Sequence, residues 1–277
     1  MKNATKKPIL VLGGKGKTGR RVVERLQGRG QEVRAVSRST VPGFDWNDRE
    51  TWADVLQGVG SVYITYQPDL AVPGAVETVK QFVELAMAAG IARFVLLSGR
   101  GEEEAQRAEQ VLQHSGADWT IVRAGWFAQN FSESFLMDGV LAGQVVLPAV
   151  TTKEPFVDAD DIADVVVETL LDDHHIGQLY EVTGSRLMTF ADGVREISAA
   201  CGRDIQLIEV SHEAYKELLV DHQLPEDTVW LIMYLFTTVL DGRNEYVKDG
   251  IQRVLGRSPK DFTDYARDVA ETGAWAA

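Results

Sequence analysis

The stretch Val11-Leu12-Gly13-Gly14-Lys15-Gly16-Lys17-Thr18-Gly19-Arg20, VLGGKGKTGR, carries two competing signatures of a nucleotide-binding turn. A P-loop needs Gly, four residues, and then Gly-Lys-Ser/Thr. Gly16-Lys17-Thr18 supplies that ending, but the first glycine would fall on Val11, inside an apolar run. Such a loop is too short to wrap a triphosphate. The register Gly13-x-x-Gly16-x-x-Gly19 fits better, because it follows the apolar run Ile9-Leu10-Val11-Leu12 and opens a helix with Val22, Val23 and Leu26 at helical spacing. In this register Gly13 makes the tight turn, Gly16 lets the backbone approach a pyrophosphate, and Gly19 lets helix and strand pack closely. Lys17 and Thr18 begin the helix, whose free N–H groups and positive dipole end face the phosphates. The bland alternative is a glycine-rich turn with no ligand; both flanking elements argue against it.

The tip of the second strand bears on the choice of cofactor. A site that prefers NAD(H) places Asp or Glu there for the ribose hydroxyls. Here the strand over residues 32–37 ends Val36-Ser37-Arg38-Ser39, with no acid. Arg38 offers a guanidinium fork to a 2′-phosphate and Ser37 a hydroxyl, with Lys15 and Lys17 adding positive charge. The competing reading makes Arg38 an ordinary solvated side chain. The pattern favours NADP(H) over NAD(H).

Outward from this turn, strands and helices alternate to about residue 125. Strands are expected over residues 44–46, 60–66, 93–98 and 119–122, and helices up to Leu56 from an Asp48 cap, over 76–89 and over 102–114. That rhythm predicts a doubly wound parallel sheet with helices on both faces. Beyond it the pattern breaks. A helix over 162–171, a strand over 179–183, a Thr189-capped helix over 190–200 and a strand over 205–210 precede a mostly helical end. The expected organisation is one domain over 1–277. Residues 1–150 mainly form the core. Residues 151–277 mainly form a small α+β lobe on the substrate side, with some elements returning to the core.

The 277 residues carry 28 Lys and Arg against 41 Asp and Glu, a net charge of −13, which disfavours nucleic acid as a partner. The basic cluster Lys2, Lys6 and Lys7 reads as a frayed terminus. A single cysteine, Cys201, excludes an intramolecular disulfide and favours a reducing compartment. No signal peptide is recognisable, and the longest apolar run, VWLIMYLFTTVL at 229–240, is shorter than the roughly 20 residues of a membrane span. A cytoplasmic protein is expected, monomer or homodimer. That run, apolar all round, predicts a buried helix. Trp230, Met233, Tyr234 and Thr237 share one side of it and Leu231, Leu235 and Val239 another; the helix reads as lobe core with one face closing over an apolar or aromatic small molecule, the alternative being a dimer interface. Asp158, Asp160 and Asp161 lack the spacing of a calcium loop and read as caps and first-turn charge, and the adjacent His174 and His175 read as loop residues. No metal is expected.

In order and spacing the chain resembles the NmrA-like branch of atypical short-chain dehydrogenases/reductases. ILVLGGKGKTGRRV is similar to that family's opening turn and VSR at 36–38 to its NADP-type strand end. RFVLLS at 93–98, SGADWTIVRAGWFAQNF at 115–131, EPFVDADDIADV at 154–165, and YEVTG at 180–184 with TFAD at 189–192 resemble its later blocks. The resemblance covers most of the chain. It implies a Rossmann-type domain with a substrate cleft against the C-terminal lobe, and relatives that are NADPH-dependent reductases or nucleotide-binding regulators.

Typical short-chain dehydrogenases use Tyr-x-x-x-Lys, the lysine lowering the phenol's pKa. None of the seven tyrosines here has lysine four residues later. The catalytic residues are therefore not assignable. One reading keeps hydride transfer from NADPH to a quinone, enone or iminium substrate, already electrophilic enough to need little acid catalysis. The other is an NADP(H)-sensing binding protein without turnover, and a weaker third is a non-redox isomerase or lyase. Candidate ligand-facing residues come from strand carboxyl ends. Tyr66 packs on the nicotinamide ribose or is a rim tyrosine, and Ser98 bonds substrate or caps its loop. Trp126, Phe127 and Asn130 sit in the block that the resemblance brings to the nicotinamide; the alternative is that the two aromatics are lobe core.

Overall fold

The computed structural model describes residues 7–148 and 150–276; Lys2 and Lys6 of the expected frayed terminus lie outside them. The first half alternates as β1 (Ile9–Leu12), α1 (Lys17–Gly28), β2 (Val33–Val36), α2 (Trp52–Leu56), β3 (Ser61–Ile64), α3 (Ala75–Ala88), β4 (Arg93–Gly99), α4 (Glu103–Gln113) and β5 (Asp118–Ala124). It continues as α5 (Met137–Ala142), β6 (Gln144–Leu147), β7 (Lys153–Glu154), α6 (Ala159–Leu171), β8 (Gln178–Val182), β9 (Met188–Thr189), α7 (Phe190–Cys201) and β10 (Gln206–Glu209). Helices α8 (His212–Asp221), α9 (Glu226–Tyr234), α10 (Gly250–Leu255) and α11 (Phe262–Glu271) complete it.

Two compact units result. The first joins the described residues up to Arg123 with Ala159–Glu181 and Arg253–Gly256. Its sheet has six strands in the order β2-β1-β3-β4-β5-β8. β1 runs parallel to both β2 and β3, and β3 parallel to β4. Strands β1 and β3 are fully buried apolar runs, as a sheet covered on both faces requires. The chain leaves β1 toward β2 on one side and returns to β3 on the other. The carboxyl ends of β1 and β3 therefore form the topological switch point, where open α/β sheets bind ligands.

Residues 44–46 are not the strand expected of them. They form a turn bridged between Asp45 and Asp48. Phe44 and Trp46 alternate as strand residues do, but they pack edge-on to each other at 4.9 Å and against Phe82 at 5.6 and 5.2 Å. A local tertiary cluster replaces the edge strand. Helix α6 lies along α1, where Arg21 pairs with Asp160 at 3.3 Å, Arg25 with Asp160 at 2.7 Å and Asp164 at 2.5 Å, and Arg29 with Glu168 at 2.5 Å.

The second unit comprises the described residues of Ala124–Asp158, Val182–Gln252 and those from Arg257 onward. It holds two small sheets, β6 parallel to β10 and β7 antiparallel to β9, around a core rich in aromatic residues. Thr189 and Asp192 form a full capping box at the start of α7. The expected helix over 229–240 is α9 followed by a π-helical turn, Leu235–Val239, closed by Leu240 N–H donating to the Leu235 carbonyl at 3.0 Å. It is not buried all round. Trp230 is 42% exposed and stacks on Tyr234 at 5.4 Å, so the two rings cover each other on the outer face. Among the described residues no helix is long and apolar enough to cross a membrane.

Candidate dinucleotide site

The β1–α1 turn is built from contacts that leave no room for side chains. Gly13 has φ of +63°, a left-handed backbone that favours glycine, and a Cβ there would lie 2.7 Å from Thr65 Oγ1. A Cβ on Gly14 would meet Ala35 of β2 at 2.8 Å, and one on Gly16 the Gly13 carbonyl at 3.1 Å. At Gly19 a Cβ would overlap the Gly13 carbonyl itself. Gly19 is thus what seats α1 on the turn. Gly16 occupies the N-cap position with no side-chain bond to the first turn, so the first N–H groups of α1 point out of the turn as an anion site would need.

Around this cradle the structure gathers Gly13, Gly16, Gly19, Lys17, Ser37 and Arg38. Gly14 N–H donates to the Val36 carbonyl at 2.9 Å, tying the turn to the end of β2. Lys15 Nζ donates to Ser39 Oγ at 2.9 Å, and Ser39 N–H to Ser37 Oγ at 3.3 Å. Arg38 is exposed, and among the described residues its guanidinium has no protein partner. Two residues that spacing alone does not single out join the site: Thr65, whose hydroxyl donates to the Leu12 carbonyl at 3.0 Å, and Gln67, whose Nε2 lies 3.6 Å from the Cβ position of Gly16. Their only sequence signal is their place just after β3.

Other expected residues are placed differently. Thr18 is buried, and its hydroxyl accepts from Tyr63 Oη at 3.0 Å inside the unit. Burial pushes the Tyr63 phenol far up, so it is a structural donor and no proton relay. Tyr66 lies 4.8 Å from Trp46, whose indole N–H donates to the Thr65 carbonyl at 3.0 Å; its ring meets the segment that follows β2. Ser98 is 4% exposed and donates to Glu109 Oε1 at 2.6 Å. Glu109 in turn holds Arg123, which reaches Glu181 at 3.0 Å. The Ser98 hydroxyl is therefore committed to a buried ion network.

In the second unit Trp126 is 8% exposed and meets Phe190 and Phe236 edge-on, each at 5.4 Å. It anchors the unit's core, the alternative set beside the ligand wall in its sequence reading. Phe127 and Asn130 are partly buried. The Phe127 backbone bridges to Val157, and Asn130 N–H donates to the Phe127 carbonyl at 3.1 Å. Asp158 is no simple cap. It is 2% exposed, accepts from Gln129 Nε2 at 2.8 Å and pairs with Lys260 at 3.3 Å. Asp160 and Asp161 do lie in the first turn of α6. Among the described residues no group of three or more His, Cys, Asp or Glu converges as a metal site.

A glycine cradle between strand and helix, set at the switch point of a mostly parallel six-stranded sheet, defines a Rossmann-type α/β protein. A profile of the NmrA-like family matches residues 5–271, and the chain belongs to that family. It is 27% identical to Prestalk A differentiation protein A of Dictyostelium discoideum over 283 residues, covering 96% of this chain and 93% of the relative. It is also 27% identical to the NAD(P)H azoreductase of Xenophilus azovorans over 281 residues, covering 94% and 96%. The Citrobacter sp. triphenylmethane reductase complexed with NADP(H) shares the fold at TM-score 0.78 and 17% identity, covering 95% of this chain and 99% of the other.

Proposed function

We propose that this chain binds NADP(H) at the β1–α1 turn and reduces a small, activated organic molecule of quinone, enone or iminium type. The observation that carries the cofactor assignment is the group at the end of β2. Lys15 is held to Ser39 at 2.9 Å, Ser37 lies beneath, and the Arg38 guanidinium is left unengaged among the described residues. A 2′-phosphate there would meet two cations and two hydroxyls, with no carboxylate in Ser37–Thr40 to repel it. The glycine cradle fits a pyrophosphate because it is already as close-packed as backbone allows.

When bound, the nicotinamide supplies the hydride. The chain's own part is to fix the pyrophosphate at the start of α1, to select the ribose phosphate through Arg38 and Lys15, and to orient the reacting partners. Two reductases among the similar proteins support the reductase reading. An apolar, planar substrate is consistent with the aromatic character of the second unit. A second reading, an NADP(H)-sensing protein without turnover, is favoured by a specific pair of observations: no Tyr-x-x-x-Lys exists, and the Ser98 hydroxyl is spent on Glu109.

The test is NADPH oxidation by the full chain against a panel of quinones, enones and iminium dyes. Oxidation with at least one acceptor is expected. Tight NADPH binding with no oxidation across the panel would transfer the assignment to the sensor.

A further inference from the structure

Glu102, just beyond the carboxyl end of β4, is a buried carboxyl with one oxygen that receives no hydrogen-bond donor. It is 7% exposed and occupies the N-cap position of α4, yet its side chain makes no capping bond. It folds back over Gly99, where any Cβ would overlap its carboxylate. Its Oε2 is fully buried and receives no hydrogen-bond donor. The group facing it is the carboxyl of Asp69, from the segment after β3, which accepts from the Ala71 N–H at 2.8 Å. Two ionised carboxylates side by side, one buried and one partly buried, repel strongly; one proton between them turns that repulsion into a hydrogen bond.

Two other charged groups face the pair. Glu109 of α4 lies beyond Glu102 and is itself neutralised by Arg123. Lys17, the first residue of α1, acts on Asp69 from the glycine turn. Burial first, then the charges of Asp69 and Glu109, hold Glu102 well above the usual carboxylate range. Burial also raises Asp69, against the opposing pull of the Ala71 N–H, Glu102 and Lys17.

We propose that Asp69 and Glu102 hold one proton between them at neutral pH, and that Lys17 couples this proton to the anion bound at the β1–α1 turn. The identity of that anion rests on the dinucleotide reading above. A pyrophosphate at the start of α1 adds negative charge and draws the Lys17 ammonium away from Asp69. Both effects favour the protonated pair. Where rising pH begins to ionise the free pair, binding takes up a proton, and affinity falls as pH rises further, by at most about tenfold per pH unit for one proton.

The experiment is calorimetric titration of the full chain with NADPH between about pH 6 and about pH 9, in two buffers of different ionisation enthalpy. Proton uptake is expected in the wild type. Glu102→Gln and, as a second variant, Asp69→Asn should abolish it and flatten the pH dependence. Tight binding with no proton uptake and no pH dependence would overturn the proposal. A wild type that binds no NADPH would sink the coupling together with the cofactor assignment. The shared proton is then decided by infrared spectroscopy alone. A protonated-carboxyl C=O band is expected in the wild type and not in either variant, and its absence from the wild type overturns the pair.

Discussion

A methyl group on Gly19 has nowhere to go, because it would overlap the Gly13 carbonyl. Gly19→Ala should therefore unseat α1 from the turn, costing about 1–3 kcal/mol in denaturant unfolding and abolishing nucleotide binding. Gly28, at the other end of the same helix, has nothing within 4 Å of its Cβ position and a negative φ. Gly28→Ala should instead be neutral or stabilising by up to about 1 kcal/mol, with binding unchanged. Equal effects of the two substitutions would contradict the close-packed turn. Trp126 makes the opposite case. WFAQN at 126–130 reads as a flat wall beside a ligand because its aromatic and amide residues suit one. Its edge-on contacts to Phe190 and Phe236 come from residues far along the chain, which no local spacing reveals. Trp126→Ala should cost about 3–5 kcal/mol in unfolding free energy; a loss below about 1 kcal/mol would return the residue to a ligand-facing role.

Among elements, the α1–α6 seam is lined with ion pairs. Arg21, Arg25 and Arg29 repeat every four residues and meet Asp160, Asp164 and Glu168 at the same spacing. Burial raises the Asp160 carboxyl, but Arg25 and Arg21 overcome it and leave its pKa below the ordinary value. A carboxyl depressed by folding stabilises the fold above its unfolded pKa of about 4, and that contribution is lost as pH falls through the folded value. Stability measured from about pH 6 down to about pH 3 should fall less steeply in Arg25→Met than in the wild type. The neutral-pH cost should be about 1 kcal/mol or less, because the pairs are partly exposed. An unchanged acid slope would mean that the seam does not contribute. Most elements were legible from periodicity: the buried runs of β1 and β3, the glycine that ends α3, the Thr189 cap of α7. The exceptions share one cause. Phe44 and Trp46 alternate like a strand, and residues 229–240 look apolar on every side. In both, aromatic rings pack on one another, Phe44 and Trp46 on Phe82, Trp230 on Tyr234. Ring-on-ring packing overrides the backbone preference in one case and permits exposure in the other.

At the scale of the whole molecule, a chain of net charge −13 holds a small basic region, Lys15, Lys17 and Arg38, at the switch point of its sheet. Against that background charge, an anionic dinucleotide gains selectively there, and its affinity should weaken as salt screens the three cations. The glycine turn was legible because its three spaced glycines lie within a single strand–turn–helix stretch. Gln67 was legible only as a residue following a strand end; Thr65 and the Asp69–Glu102 pair were not, since their partners are brought together only by the order of strands in the sheet. The Gln129–Asp158–Lys260 contact was hidden for the same reason: its members are separated by 29 residues or more.

On the reading proposed above, the β1–α1 turn and the tip of β2 together select NADP(H). Calorimetry of NADPH and NADH binding to the wild type and to Arg38→Ala tests it most directly. Charge-assisted bonds to the 2′-phosphate should make NADPH about tenfold to a hundredfold tighter. Arg38→Ala should erase most of that preference while leaving NADH affinity nearly unchanged. Equal affinity for the two dinucleotides in the wild type, or an equal loss of both in the variant, would contradict it.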